Sequence, residues 1–258
     1  MSEPLLRGRV ILLTGGASGI GRECARVYAA EGAHVAIADV DEGSAEQTVA
    51  SLPTDGLAIR CDVSDPADVE DAVRRALSRF GGLYAVHNNA GLALPSKPLH
   101  ETTDEEWDRL FSVNIKSVHL TTRYAFDALC ASRGCILNTA SLVGTLGQTN
   151  HAAYVATKGA MIALTKAMAL DYATYGIRVN AVCPAGVWTD MLRQWAAAQP
   201  DSDAIAAGLD DLHPLGYCPE GDVVADACAF LLSDRARFIT GCALPVGGGA
   251  ELGYRRSG

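Results

Sequence analysis

Tyr154-Val155-Ala156-Thr157-Lys158 sets a phenol and an ammonium four residues apart, which brings them to one face of a helix with about 3.6 residues per turn. A cation beside a phenol favours phenolate. The pair is therefore expected to pull Tyr154 below its ordinary pKa of about 10, toward general-base chemistry. Ser141 precedes the tyrosine and offers a hydroxyl that could hold a substrate oxygen as charge develops on it. His151 lies close by, but Tyr154 and Lys158 already supply the proton chemistry, so a substrate-contacting or exposed role is expected for it. A second chemical feature is the run Thr14-Gly15-Gly16-Ala17-Ser18-Gly19-Ile20-Gly21. It follows an apolar stretch and opens a helical one, the context in which small residues let backbone approach a pyrophosphate at a helix N-terminus. Asp39 comes 18 positions after Gly21 (39 − 21), where a carboxylate can take both adenosine ribose hydroxyls and repel a 2′-phosphate.

These groups need a scaffold that brings strand ends together. Short apolar runs at 10–13, 35–38, 57–60, 83–86, 135–138, 178–182 and 243–246 read as strands buried on both faces. Helical stretches lie between them, the longest at about 104–132 and 153–175, and Asp65-Pro66 opens another. This alternation predicts a single-domain, Rossmann-like, doubly wound α/β fold of about seven parallel strands over residues 1–258. Right-handed crossovers then put the first and fourth strands side by side and create a ligand crevice at the switch point. The segment at about 186–218 mixes Trp, Met and Ala-rich helix with Pro200-Asp201-Ser202-Asp203, and reads as a short helical lid.

With 258 residues and 49% hydrophobic content, the chain suits one core of this kind. A net charge of −9 argues against nucleic acid or an anionic membrane surface as partner. No apolar run approaches the roughly 18 residues that span a bilayer. The stretch from Met1 to Gly8 carries no signal-peptide pattern, and a cytoplasmic location is expected. The eight cysteines form no Cys-x-x-Cys and no ligand-like pairing with histidine, so no metal is expected and the thiols read as small buried hydrophobes.

The glycine run, Asn88-Asn89-Ala90-Gly91, Asn114, Ser141 and Tyr154-x-x-x-Lys158 together resemble the short-chain dehydrogenase/reductase family, in order and spacing from about Gly8 to about Gly249. Ser141 to Gln148, Tyr154 to Ala160, Val187-Trp188-Thr189 and Gly249 to Tyr254 are similar to the branch that holds L-fucose dehydrogenases and the type-14 17β-hydroxysteroid dehydrogenase. The resemblance implies an NAD cofactor held by Gly15, Ser18, Gly19, Ile20, Gly21, Asp39, Asp62, Val63, Asn89, Ala90, Gly91, Tyr154, Lys158, Pro184, Gly186, Val187 and Thr189. Asp62 could equally cap the next helix. Asn89 is implied to stabilise the central sheet, and Asn114 to hold a water that links Lys158 to solvent. Ala185 stands where the family motif has glycine, and would cost of order 1 kcal/mol if that position required positive φ.

The implied reaction is interconversion of a secondary alcohol and a ketone (or sugar lactone), with Tyr154 as general acid/base, Lys158 on the nicotinamide ribose and Ser141 on the substrate oxygen. Gln148, Asn150, His151, Trp188 and Tyr254 are expected at the substrate; the flat Trp188 wall suits a sugar or a steroid ring edge equally, and Asn150 and His151 tilt the reading to a sugar or polyol such as L-fucose. A hydroxysteroid, a 3-oxoacyl thioester, or a catalytically silent NAD-binding scaffold are the alternatives. The resembled branch implies a homotetramer whose tail, 250–258, reaches a neighbouring active site.

Overall fold

β-Branched and aliphatic runs separated by amphipathic helices leave one way to bury both kinds of element, a sheet covered on two sides. The computed structural model describes residues 3–197 and 201–252. Its strands are β1 (Val10–Thr14), β2 (His34–Asp39), β3 (Gly56–Arg60), β4 (Ala85–Asn88), β5 (Cys135–Thr139), β6 (Arg178–Pro184) and β7 (Ala243–Val246). They form one parallel sheet in the order β3-β2-β1-β4-β5-β6-β7. β1 pairs with β4 in the register Ile11↔Ala85 and Leu13↔His87, which puts the switch point where the alternation predicts it. The fourth strand lies two residues later than the apolar run at 83–86, since Leu83 and Tyr84 pack ahead of the ladder.

Along β1 the side chains alternate between two cores, as a period of two demands. Val10 and Leu12 face α3 (Pro66–Phe80), α5 (Ser117–Ser132) and α6 (Ala152–Tyr172). Ile11 and Leu13 face α1 (Gly19–Ala30), α2 (Glu42–Ala50) and α9 (Gly221–Leu232). The helix expected over about 104–132 is divided: α4 (Asp104–Phe111) passes through a π-helical turn, Ser112–Lys116, into α5. The π-turn holds Asn114, whose side chain is bound across to another segment, and such single-turn insertions often mark functional sites. Asp65 caps α3 by accepting the Ala67 amide, with Pro66 in the first turn.

Past β6 the chain forms α7 (Asp190–Ala197) and α8 (Ser202–Leu212) before returning to α9. Arg22 of α1 pairs with Asp190 at 2.9 Å, and Arg193 pairs with Glu220, so α7 is tied to both neighbouring helices. No helix among the described residues is long and apolar enough to cross a membrane.

Candidate active site

The carboxyl ends of the strands open on a cleft of about 560 Å³ that runs from Asp39, past the glycine turn, to Tyr154 and Lys158. Its glycines are dictated by close approach. Gly15 has φ +67°, and a Cβ there would lie 2.8 Å from Ala90 Cα, while a Cβ on Gly21 would lie 1.9 Å from the Gly15 carbonyl oxygen. Ser18 stands at the N-cap of α1 without a side-chain cap, which leaves first-turn amides facing the cleft. Asn89 secures the turn from beneath: its Nδ2 donates to the carbonyls of Thr14 (3.2 Å) and Gly15 (2.9 Å), and Thr14 Oγ1 accepts the amides of Asn89 and Ala90.

At the other end, Asp39 Oδ2 accepts the Ala17 amide and Oδ1 the Asp41 amide, each at 3.0 Å. Asp62 is not the helix cap, a role that Asp65 fills. It accepts the amide and hydroxyl of Ser64, which hold its carboxyl below the usual range, and it lines the cleft beside Val63. Cys61, Arg109 and Gln194 also line the cleft and were not singled out by sequence. Arg109 comes from α4, far along the chain from Asp62, and no local pattern marks that convergence. Arg109 and Lys158 are the two cations among the cleft's described walls.

At the reacting end, Ser141 starts a short 3₁₀ turn, where its Oγ accepts the Val143 amide (3.4 Å) and donates to the Pro184 carbonyl (3.5 Å). Gly144 lets this turn pack on α6, since a Cβ there would meet the Lys158 backbone at 2.7 Å. Tyr154 and Lys158 share a face of α6, as their spacing predicts, with Nζ 5.6 Å from the ring centroid. The expected electrostatics do not follow. Burial pushes the Tyr154 phenol up, opposed by its hydrogen bond with Ser141. Lys158 is itself buried and its ammonium is pushed down to about 8, while Nζ donates to the Thr139 carbonyl at 2.7 Å. Desolvation outweighs attraction here, and spacing along a helix cannot report burial.

A stability prediction follows from this lysine. Below its folded pKa the cost of burying the charge is complete. From about pH 8 to the ordinary 10.5 the unfolded chain binds more protons than the folded one, so that cost is relieved as pH rises. Cofactor-free Lys158→Met should therefore be more stable than the parent at pH 7 by roughly 1–3 kcal/mol, after allowing for the lost hydrogen bond. The gap should narrow above pH 8 in denaturant melts; a gap that widens with pH would contradict the account.

Asn114 is buried and its amide is committed: Oδ1 accepts the Leu92 amide, and Nδ2 donates to the Leu92 carbonyl and to Thr157 Oγ1. A Cβ on Gly91 would lie 3.3 Å from Asn114 Oδ1 and 3.6 Å from Lys158 Nζ, so the three residues meet in one place. Of the 184–189 segment, Pro184, Ala185 and Thr189 wall the cleft. Gly186 sits under His213, and Val187 is buried in the core beneath α1 and α9. Ala185 does not adopt positive φ, so its replacement of glycine carries no backbone strain.

Gln148 and His151 belong to the loop before α6 and do not line the cleft; His151 Nδ1 bonds the Thr149 carbonyl, and its ring stands edge-on to Tyr154 at 6.4 Å. The backbone of Trp188 is held by the Pro219 carbonyl. Its ring lies 5.1 Å from the Arg193 guanidinium, on a separate polar cavity of about 240 Å³. Tyr254 lies outside the described residues. The fold also brings together Cys24, His87 and Cys228, with ligand atoms within 4.8 Å of one another, a pairing that sequence spacing did not show.

A dinucleotide fits this cleft: the glycines leave the space a pyrophosphate needs, open amides face it, and a carboxylate and a cation stand at the two ends. Residues 15–251 match the family model described as enoyl-(acyl carrier protein) reductase. The L-fucose dehydrogenase of Bos taurus is 40% identical, over 96% of this chain and 92% of its own. The 2,5-dichloro-2,5-cyclohexadiene-1,4-diol dehydrogenase of Sphingobium indicum is 37% identical, over 95% and 97%. Among solved structures, a 3-ketoacyl-(acyl-carrier-protein) reductase from Brucella melitensis complexed with NADH superposes with a TM-score of 0.86, at 36% identity over 95% of this chain and 99% of that one. A tyrosine and lysine on one helix face, set against a glycine-lined nucleotide cleft, accord with all three, and the chain belongs to the short-chain dehydrogenase/reductase family, as an oxidoreductase acting on CH–OH groups.

Proposed function

We propose that the protein oxidises a secondary alcohol on a sugar or polyol to the ketone or lactone with NAD, and runs the reverse reduction. The observation that carries this reading is the convergence of Ser141, Tyr154 and Lys158 at one end of a cleft whose other end holds Asp39. When bound, NAD supplies the hydride acceptor. The glycine turn would hold its pyrophosphate, Asp39 its adenosine ribose, Asp62 and Val63 its adenine, and Lys158 its nicotinamide ribose. Ser141 orients the substrate hydroxyl and Tyr154 takes its proton, which Lys158 passes on to a water that Asn114 would hold on the way to solvent. Helices α7 and α8 cover the mouth as a lid. The intact Ser141, Tyr154 and Lys158 speak against a silent scaffold, which needs the cofactor site alone.

The test is NADH formation on mixing the protein and NAD with a panel of sugars, polyols and hydroxysteroids. Turnover of L-fucose or a related polyol is expected, and turnover of steroids alone would overturn the substrate class. A 3-oxoacyl thioester belongs in the reverse-direction panel, since the Brucella relative carries that name and was solved with NADH.

The tail and assembly belong to the same proposal. Within a homotetramer in the cytoplasm, Tyr254 helps close a neighbouring pocket. Deleting residues 252–258 should raise KM for substrate and leave NAD binding nearly intact. Unchanged kinetics, or a monomer by light scattering, would remove the tail from the site.

A further inference from the structure

His87 is fully buried in β4, opposite Leu13 and Leu137, on the sheet face that packs against α1 and α9. The chemistry of the site does not use it, yet both its nitrogens are engaged. Nδ1 lies 2.9 Å from Tyr28 Oη and Nε2 lies 2.9 Å from Thr139 Oγ1. Thr139 Oγ1 also donates to Asn89 Oδ1 at 3.3 Å, and Asn89 in turn donates to the Thr14 and Gly15 carbonyls.

The direction of each bond follows from the inventory of donors. Asn89 spends both amide hydrogens on carbonyls, so it turns its oxygen to Thr139 and requires the threonine proton. Thr139 Oγ1 must then accept from His87, which makes Nε2 the protonated nitrogen and Nδ1 the acceptor for the Tyr28 hydroxyl. The result is a buried chain of a single polarity, Tyr28 to His87 to Thr139 to Asn89 to the Gly15 carbonyl. Aligned bonds in a low-dielectric interior reinforce one another, and a break leaves buried groups unpaired. Thr139 further carries the anchor of Lys158 on its own carbonyl. Tyr28 is held from behind by its packing with Cys24 and Cys228.

We infer that His87 is a positioning residue for the nucleotide cleft, acting through Thr139 and Asn89 to fix the Gly15 turn and the Lys158 anchor. It rests on the NAD reading for its affinity readout only. His87→Leu should weaken NADH binding about tenfold, measured by fluorescence well below the melting temperature, the loss expected for a broken buried hydrogen-bond chain. Tyr28→Phe, which frees only His87 Nδ1, should give a smaller weakening in the same direction. In a double-mutant cycle, adding His87→Leu to Asn89→Ala should cost little further affinity, because both break one chain. In the cofactor-free protein, amide exchange over Gly15–Ile20 should quicken in His87→Leu. This second readout stands even if the parent binds no NADH, a result that would count against the NAD reading alone. Three outcomes overturn the inference. They are folded His87→Leu and Tyr28→Phe proteins with parental NADH affinity and exchange, additive losses in the cycle, or a stoichiometric metal on Cys24, Cys228 and His87, which would claim the nitrogen that Tyr28 requires.

Discussion

Tyr154→Phe should lower turnover by about a hundredfold or more, the scale of general acid–base catalysis, with NAD affinity hardly changed. The substitution removes the hydroxyl that Ser141 bonds and leaves the ring packed on α6, so a loss in kcat without a loss of fold isolates proton transfer. Burial pushes this phenol up, as it does those of Tyr28, Tyr84 and Tyr172, so the variant should lose one of the tyrosines that ionise above the ordinary value in the cofactor-free protein. The neutral phenol is the form that donates a proton in ketone reduction, and the phenolate is the form that accepts one in alcohol oxidation. Oxidation should therefore quicken as pH rises and reduction slow. Retained turnover in Tyr154→Phe would move the chemistry elsewhere, with His151, whose ring stands beside the tyrosine, the first suspect.

Catalytic efficiency with NAD should exceed that with NADP by at least about tenfold, some 1.4 kcal/mol. Both oxygens of Asp39 are fixed by loop amides at 3.0 Å, so the carboxylate cannot swing away from a 2′-phosphate without breaking the turn. Arg22, which directly follows the glycine turn, is drawn off to Asp190 and Glu23. Comparable efficiency with the two cofactors would sink this reading, and Arg109, on the cleft wall with Asp62, would then be the cation to remove. Asp39→Ala should narrow the preference but also weaken NAD, because it releases the Ala17 amide.

The sheet, the switch point and the face shared by Tyr154 and Lys158 could be read from the chain alone. Each depends on a local period or a short spacing: apolar runs of strand length, alternation with helices, and a return after four residues. The glycine turn was legible for the same reason, since the residues that make the turn are adjacent in the chain. What surrounds those groups is set by packing between distant segments. Burial reversed the expected direction of the Tyr154 shift, because the solvent a side chain loses depends on elements far away in sequence. The π-turn at Asn114 is specified by partners at Leu92 and Thr157, and the positions of Gln148, His151 and Trp188 by loop paths that residue type does not encode. In sequence His87 falls just past the apolar run at 83–86, and no pattern marks it. Its bonds to Tyr28 and Thr139, 59 and 52 positions away, exist only once α1, β4 and β5 are packed together.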